Sequence, residues 1–211
     1  DIPAMWLRDS SAQVSPYVPL AEQDDDVRRI IAGVIRKQGG YILIDPYANA
    51  LNREADGACW ASDETEHNDW VWERKYEIHS LCYPLWLAHR YWKTTGDVSV
   101  FDDDFRRAAR VILDLWIVEQ DHVAGSPYRF QRRDCPPSDT LSHDGLGAPV
   151  ALTGMTWSGF RPSDDACHTS SSALGTGLPA VSITLPDSSS GAPSTSRAML
   201  APAPSIGAFS T

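Results

Sequence analysis

Two adjacent carboxylates, Asp164 and Asp165, close a segment that reads Trp157-Ser158-Gly159-Phe160-Arg161-Pro162-Ser163-Asp164-Asp165. Aromatic rings that exclude water and a nearby guanidinium can each move a carboxyl pKa, and a carboxyl moved towards neutrality can donate or accept a proton. Arg8 and Asp9 form a second constellation inside Ala4-Met5-Trp6-Leu7-Arg8-Asp9-Ser10, and a third runs Trp72-Glu73-Arg74-Lys75-Tyr76-Glu77. Each has a plainer reading. Arg8-Asp9 and Glu73-Arg74-Lys75 read equally as surface ion pairs of small consequence, and Trp70, Trp72 and Trp92 as core. His67, His79 and His89 share no metal-ligand spacing, so packing or hydrogen bonding is expected of them. Spacing alone leaves catalysis and scaffolding open for Asp164 and Asp165.

The elements that must position these groups are helical. Val27, Ile30, Ile31, Val34 and Ile35 recur at helical spacing behind the acidic start Asp24-Asp25-Asp26, and Gly39-Gly40 is the expected stop. A second helix is predicted from about Trp72 to Trp92, ending before Gly96, with a kink or break at Pro84 because proline removes a backbone donor. On that helix Trp72, Lys75 and Tyr76 would share one face and Arg74 would turn away. A third is predicted from about Val100 to Glu119, starting at the solvated run Asp102-Asp103-Asp104, with Phe105, Ala108, Val111, Ile112, Leu115 and Trp116 on one apolar face. Nothing reads as a sustained sheet. The segments between are rich in Trp, Arg, Asp, Tyr and Asn, as at Asp45-Pro46-Tyr47-Ala48-Asn49, and such loops are costly to order unless they line a site. Aromatic faces beside bidentate polar groups suit a sugar, which offers apolar CH faces and hydroxyls together.

Composition narrows the partners. The 211 residues carry a net charge of −10, which disfavours nucleic acid and anionic membrane. No apolar run approaches the roughly 20 residues that span a bilayer. The chain opens on Asp1-Ile2-Pro3 with neither an initiator Met nor a signal segment, so a native N-terminus upstream is expected. Cys59, Cys82, Cys135 and Cys167 form no CxxC pair and no zinc set, which favours reduced, buried thiols. Composition changes at Cys167: residues 1–167 contain all eight Trp and nearly all the charge, while residues 168–211 are dominated by Ser, Ala, Pro, Gly and Thr and are expected to be a disordered tail.

The stretches IPAMWLRDSSAQVSPYVPL, DPYANALN, WVWERKYEIHSLCYPLWLAHRYWKTTGD and GMTWSGFRPSDDAC resemble, in the same order, the signature blocks of glycoside hydrolase family 125. The resemblance covers Asp1 to Cys167, with 123–152 its most variable part. It implies an all-α chain forming the N-terminal part of an (α/α)6 barrel. The implied activity is an exo-α-1,6-mannosidase that removes non-reducing terminal mannose from glycans with inversion and without a metal or other cofactor. A mannose-containing oligosaccharide is the implied partner. The resemblance places the general acid at Asp164 or Asp165 and the sugar contacts at Arg8, Asp9, Tyr47, Asn49, Trp72, Glu73, Lys75, Tyr76, Glu77, Trp157 and Arg161. Arg161 would oppose a raised acid pKa if it pointed inward.

After Cys167 the sequence HTSSSALGTGLP departs from the family pattern, which reads as a frameshift, a retained intron or a mispredicted gene end. The family's catalytic base falls beyond that point, so the expectations are an inactive fragment with exposed helix faces and a tendency to aggregate. The alternative is a non-catalytic mannoside-binding or helical interaction module.

Overall fold

The computed structural model describes residues 2–66 and 68–167, all within one compact unit. The expectations for the 168–211 tail and for His67 lie outside the described residues.

The described part is mostly helical with little strand. Four helices carry it: α1 (Leu7–Val14), α2 (Asp25–Ile44), α3 (Ile78–Thr95) and α4 (Asp103–Val118). The acidic starts behave as read. Asp24 caps α2 by accepting hydrogen bonds from the backbone of Asp26 and Val27 at 2.9 and 3.1 Å, and Asp102 caps α4 by accepting from Phe105 N at 2.9 Å. Each carboxylate satisfies N–H groups that the first helical turn leaves free.

Gly39-Gly40 does not stop α2, which runs on to Ile44. The reason lies in packing: Gly39 faces α4 so closely that a Cβ there would sit 3.9 Å from the Phe105 Cα, and the small residue lets two helix backbones approach. Ile31, Ile35 and Ile42 line the buried side of α2, whereas Ile30 is exposed. On α4 the buried set is Phe105, Ala108, Ala109, Ile112 and Leu115, the face that its periodicity predicts.

The predicted helix from Trp72 is shorter than expected and begins at Ile78. Val71–Glu73 is instead strand β3, paired antiparallel to β2 (Ala50–Leu51), which pairs antiparallel to β1 (Met5–Trp6). Along Val71-Trp72-Glu73 the burial alternates buried, half-buried, buried, the period of a strand. The expected common face of Trp72, Lys75 and Tyr76 therefore does not form: Val71, Glu73 and Lys75 are buried while Trp72 and Arg74 are only partly so. Helix α3 then passes through Pro84 without a break and ends at Gly96, whose φ of 70° is the left-handed cap conformation. Leu7–Ser10, expected as loop, is the first turn of α1.

The four thiols are free, and only Cys167 is buried; Cys59 is exposed, and Cys82 and Cys135 are intermediate, which corrects the expectation of uniformly buried thiols. Among the described residues no helix is long and apolar enough to cross a membrane.

The core gathers Leu7, Ile42, Leu51, Leu81 and Ile112 with the aromatic side chains of Tyr76, Tyr128 and Trp157. Ile112 has no exposed surface. Ile112→Ala is therefore expected to lower unfolding free energy by about 2–5 kcal/mol. Asp24→Ala, which removes only a surface cap, is expected to lower it by about 0.5–2 kcal/mol. Urea titration of the two variants checks both the sizes and their order.

Candidate active site

Asp164 stands at the tip of a tight hairpin. Phe160 and Ala166 form a bridge, Arg161 N donates to Asp165 O at 2.9 Å, and Asp164 N donates to Arg161 O at 2.8 Å. The three residues between Arg161 and Asp165 make the loop, with Pro162 fixing the first φ and Asp164 at φ 62° in the left-handed region. Asp tolerates that region better than most residues because its short side chain adds little crowding. A functional carboxylate held there is aimed by backbone geometry.

The hairpin docks onto the segment between β3 and α3. Gly159 N and Phe160 N both donate to Tyr76 O at 3.1 Å, and Ile78 N donates to Ser158 Oγ at 3.1 Å. Lys75 Nζ donates to the Asp164 carbonyl at 3.0 Å. Gly159 must remain glycine, because a Cβ there would lie 2.9 Å from the Trp157 ring.

Around the Asp164 carboxyl the charges are few and opposed. Burial raises its pKa first, and the neighbouring Glu77 carboxylate raises it further, while Arg8 and Lys75 pull it down; the result is a carboxyl pushed up to about 6. Asp165 sits differently: Arg161 Nη2 pairs with its Oδ2 at 3.2 Å, and Ser163 Oγ donates to the same oxygen at 2.7 Å. Arg161 thus lies exposed along the hairpin and serves Asp165, away from the Asp164 carboxyl.

Glu77 is buried at the N-cap of α3, where its Oε2 accepts from Ser80 Oγ at 2.8 Å and lies 3.1 Å from His79 Nε2. Arg8, in the first turn of α1, reaches across with Nη1 donating to Pro162 O at 2.6 Å, lies 3.0 Å from His79 Nε2, and pairs with Asp9 at 3.2 Å. Arg8, Asp9, Glu77, His79 and Asp164 therefore meet, brought together from three segments distant in sequence.

The other expected site residues form the wall behind them. Asn49 is fully buried, donating to Glu73 Oε2 at 2.9 Å and accepting from Lys75 N at 3.1 Å. Tyr47 donates to Glu119 Oε1 at 2.7 Å, and burial together with the Glu119 charge raises its pKa beyond any ordinary range. Tyr76 is buried edge-on to Tyr47, with ring centroids 5.2 Å apart. Trp157 stacks on His122 at 3.5 Å. Glu73 and Lys75 enter a buried charge network in which Arg132 grips Asp63 through two bonds of 2.6 and 3.0 Å, Asp139 at 2.7 Å and Glu73 at 3.1 Å. Lys75 pairs with Asp139 as well. Burial alone would raise Asp139, but hydrogen bonds from Lys75 and Arg132 outweigh it and hold the carboxyl below its ordinary range. Trp72 stands apart on β3, its indole Nε1 buried and without a hydrogen-bond partner among the described residues.

Sequence reasoning missed His79 as a member of the cluster, and missed Asp63, Arg132, Asp139, Glu119 and Ser158. Glu77-Ile78-His79 carried a usable signal, since a Glu and a His two apart straddle a helix start. Arg132 and Asp63 lie 69 residues apart, and no local pattern pairs them. No three of His, Cys, Asp and Glu among the described residues converge so as to hold a metal ion.

Residues 1–172 match the family model described as metal-independent alpha-mannosidase, GH125. A solved Streptococcus pneumoniae chain is 54% identical over 79% of this chain and 39% of its own, with a TM-score of 0.76. It is described among metal-independent alpha-mannosidases linked to the processing of N-linked glycans, as a non-productive substrate complex with alpha-1,6-mannobiose. The meiotically up-regulated gene 157 protein of Schizosaccharomyces pombe is 35% identical over 189 residues, 79% of this chain and 36% of that protein. The chain thus spans well under half the length of either relative. Its helices share the fold of the corresponding part of the solved chain, an (α/α)6-type, all-α architecture.

A raised carboxyl pKa carries a stability consequence. With a folded pKa of about 6 against an ordinary value of 3.8, the folded state binds the extra proton between those values, so this group's contribution is fully present below about pH 4 and lost as pH rises through 6. Asn mimics the protonated acid and tolerates the same left-handed backbone. Asp164→Asn is therefore expected to stabilise the fold at pH 7.5 by about 1 kcal/mol, a figure reduced for solvent screening of a half-buried group, and to change little at pH 4. Urea midpoints at the two pH values measure the difference.

Proposed function

Because the chain belongs to the metal-independent alpha-mannosidase family, glycoside hydrolase family 125, we propose that it carries the acid side of a site that removes non-reducing terminal α-1,6-linked mannose with inversion. The observation that carries the assignment is Asp164 itself: a half-buried carboxyl on a left-handed hairpin tip, set against the Glu77 carboxylate and pushed up to about 6. Such a group holds its proton up to about pH 6, well above an ordinary carboxyl, and can give it to the departing glycosidic oxygen. Asp165, held by Arg161 and Ser163, is the neighbour that fixes the hairpin.

Inversion needs a second carboxylate about 6.5–9.5 Å from the first, so that a water fits between it and the anomeric carbon. In this reading the base comes from another part of the family's catalytic domain. Arg8 and Asp9, which flank Asp164 from the first turn of α1, are the groups placed to fork onto sugar hydroxyls. Tyr47, Asn49, Glu73, Lys75, Tyr76 and Trp157 spend their polar capacity or burial on the wall and position that fork. Support for an α-1,6-linked mannoside as the ligand comes from the streptococcal relative, described with alpha-1,6-mannobiose bound.

The test is mannose release from α-1,6-mannobiose by a protein extended to the family's full catalytic domain. Asp164→Asn is expected to lower kcat by about 10²–10⁴-fold, the usual loss when a general acid is removed. On an aryl α-mannoside whose leaving group needs no protonation the same variant is expected to lose far less. Undiminished cleavage of the mannobiose by Asp164→Asn overturns the assignment.

A further inference from the structure

Three buried carboxylate oxygens at the site, Asp9 Oδ2, Glu77 Oε1 and Asp164 Oδ1, have no hydrogen-bond partner among the described residues, and of these Asp9 Oδ2 has its ion pair with Arg8 at 3.2 Å. Isolated ionised oxygens in that position are costly, since burial removes water without supplying a donor. The Glu77 carboxylate acts directly on the Asp164 side chain, and a proton on Asp164 would remove one of the two buried charges and supply a donor.

Which residue owns the proton follows from the surroundings. Glu77 is the N-cap of α3, a helix of 18 residues whose N-terminal dipole favours an anion. Its Oε2 accepts from Ser80 Oγ at 2.8 Å. His79 Nε2 lies 3.1 Å from the same oxygen and 3.0 Å from Arg8 Nη1, which also donates to the Pro162 carbonyl. Asp164 has no comparable set of donors on its carboxyl. Its charged neighbours are Arg8 from α1, itself shared with Asp9, and Lys75 from the segment after β3, which is held by Asp139 and Glu73 and donates to the Asp164 carbonyl. On the hairpin, Arg161 and Asp165 pair with each other.

We propose that Glu77 is a positioning residue: it stays ionised and accepts a hydrogen bond from protonated Asp164, thereby keeping the proton on Asp164 and fixing the carboxyl's rotamer before substrate arrives. This deepens the reading of Asp164 as the general acid and rests on it. When the glycosidic bond breaks, the Asp164 proton passes to the leaving oxygen and Asp164 is left ionised against Glu77. That like-charge contact is relieved when Asp164 takes a proton from solvent, which resets the acid.

The test reads the proton directly by carboxyl ¹³C NMR titration of the full chain, with no need of turnover. In the wild type the Asp164 Cγ resonance is expected to titrate near pH 6, and the Glu77 Cδ resonance to shift in the same step because the Glu77 carboxylate then loses the hydrogen bond that it accepts from Asp164. In Glu77→Gln the negative neighbour is gone while Arg8 and Lys75 remain, so the Asp164 midpoint is expected to fall by one unit or more towards the ordinary value of about 3.9. A midpoint unmoved in Glu77→Gln, or a Glu77 resonance that stays silent through the Asp164 step in the wild type, overturns the proposal. The wild-type titration decides the matter alone if the variant does not fold. Failure of this proposal is separate from failure of the acid assignment: the first appears in the titration, the second as undiminished mannobiose cleavage by Asp164→Asn.

Discussion

The buried charge network around Arg132 holds the site in register. Two cations, Arg132 and Lys75, face three carboxylates, Asp63, Glu73 and Asp139, with Asn49 satisfying the remaining Glu73 oxygen. Arg132 and Lys75 are each only 4% exposed at the side chain, so neither charge has water as an alternative partner. Removing one member of such a set costs about 3–5 kcal/mol, because the partner is left charged and dry. The network need not add net stability over an apolar core of the same volume. What it adds is specificity of placement: the loop of Asp63, strand β3 and the segment carrying Arg132 and Asp139 fit together in one arrangement. Lys75 then extends that arrangement to the hairpin by donating to the Asp164 carbonyl. The backbone that carries Asp164 is thus fixed by an ion network outside the Asp164–Glu77 cluster.

Beneath the hairpin a second layer works by shape. Tyr47 and Tyr128 stack at 4.9 Å, Tyr76 meets both edge-on, and Trp157 lies against Tyr76 at 6.1 Å. Their polar tips all find partners or dry burial: Tyr128 Oη accepts from Tyr76 N at 2.8 Å and donates to Arg74 O at 2.9 Å. Glu119 closes the layer from below, accepting from Tyr47 and approaching His122 Nδ1 at 2.6 Å, while His122 stacks on Trp157. Aromatic groups of this size lose little conformational entropy when buried and contribute large apolar area, which makes them suitable walls for a pocket that must stay rigid.

The parts legible in the sequence were those whose cause is local. Asp24 and Asp102 announce helix starts because capping is a contact across two or three residues, and the Phe105-Ala108-Ile112-Leu115 stripe announces a buried face because helical spacing is local too. The misreadings had long-range causes. Gly39-Gly40 looked like a stop because glycine ends helices in isolation, yet here it admits α4. Trp72 to Glu77 looked helical because the residues that follow are, whereas pairing with Ala50 and Leu51 draws Val71–Glu73 into a strand. Among the site residues, the signature blocks pointed to Asp164 or Asp165, Arg8, Asp9 and Glu77, whereas His79 and Arg132 emerged only from geometry. Arg132 lies in the 123–152 region where the family resemblance is most variable, so its partners across the fold had no motif to announce them.

Asp164 and Asp165 are the sharpest case of what spacing withholds. They are identical in type and adjacent in sequence, yet the hairpin turns one carboxyl towards Glu77 and leaves the other beside Arg161. A left-handed residue reverses the path of the chain between them, so neighbouring side chains leave the backbone in different directions. Around the first, burial and the Glu77 carboxylate favour the protonated form; beside the second stand a guanidinium and a hydroxyl donor. Chemistry that needs two carboxyl groups in opposite protonation states usually separates them by a cleft. Here a single φ of 62° separates the states of two consecutive residues, and the second can hold the turn while the first holds the proton.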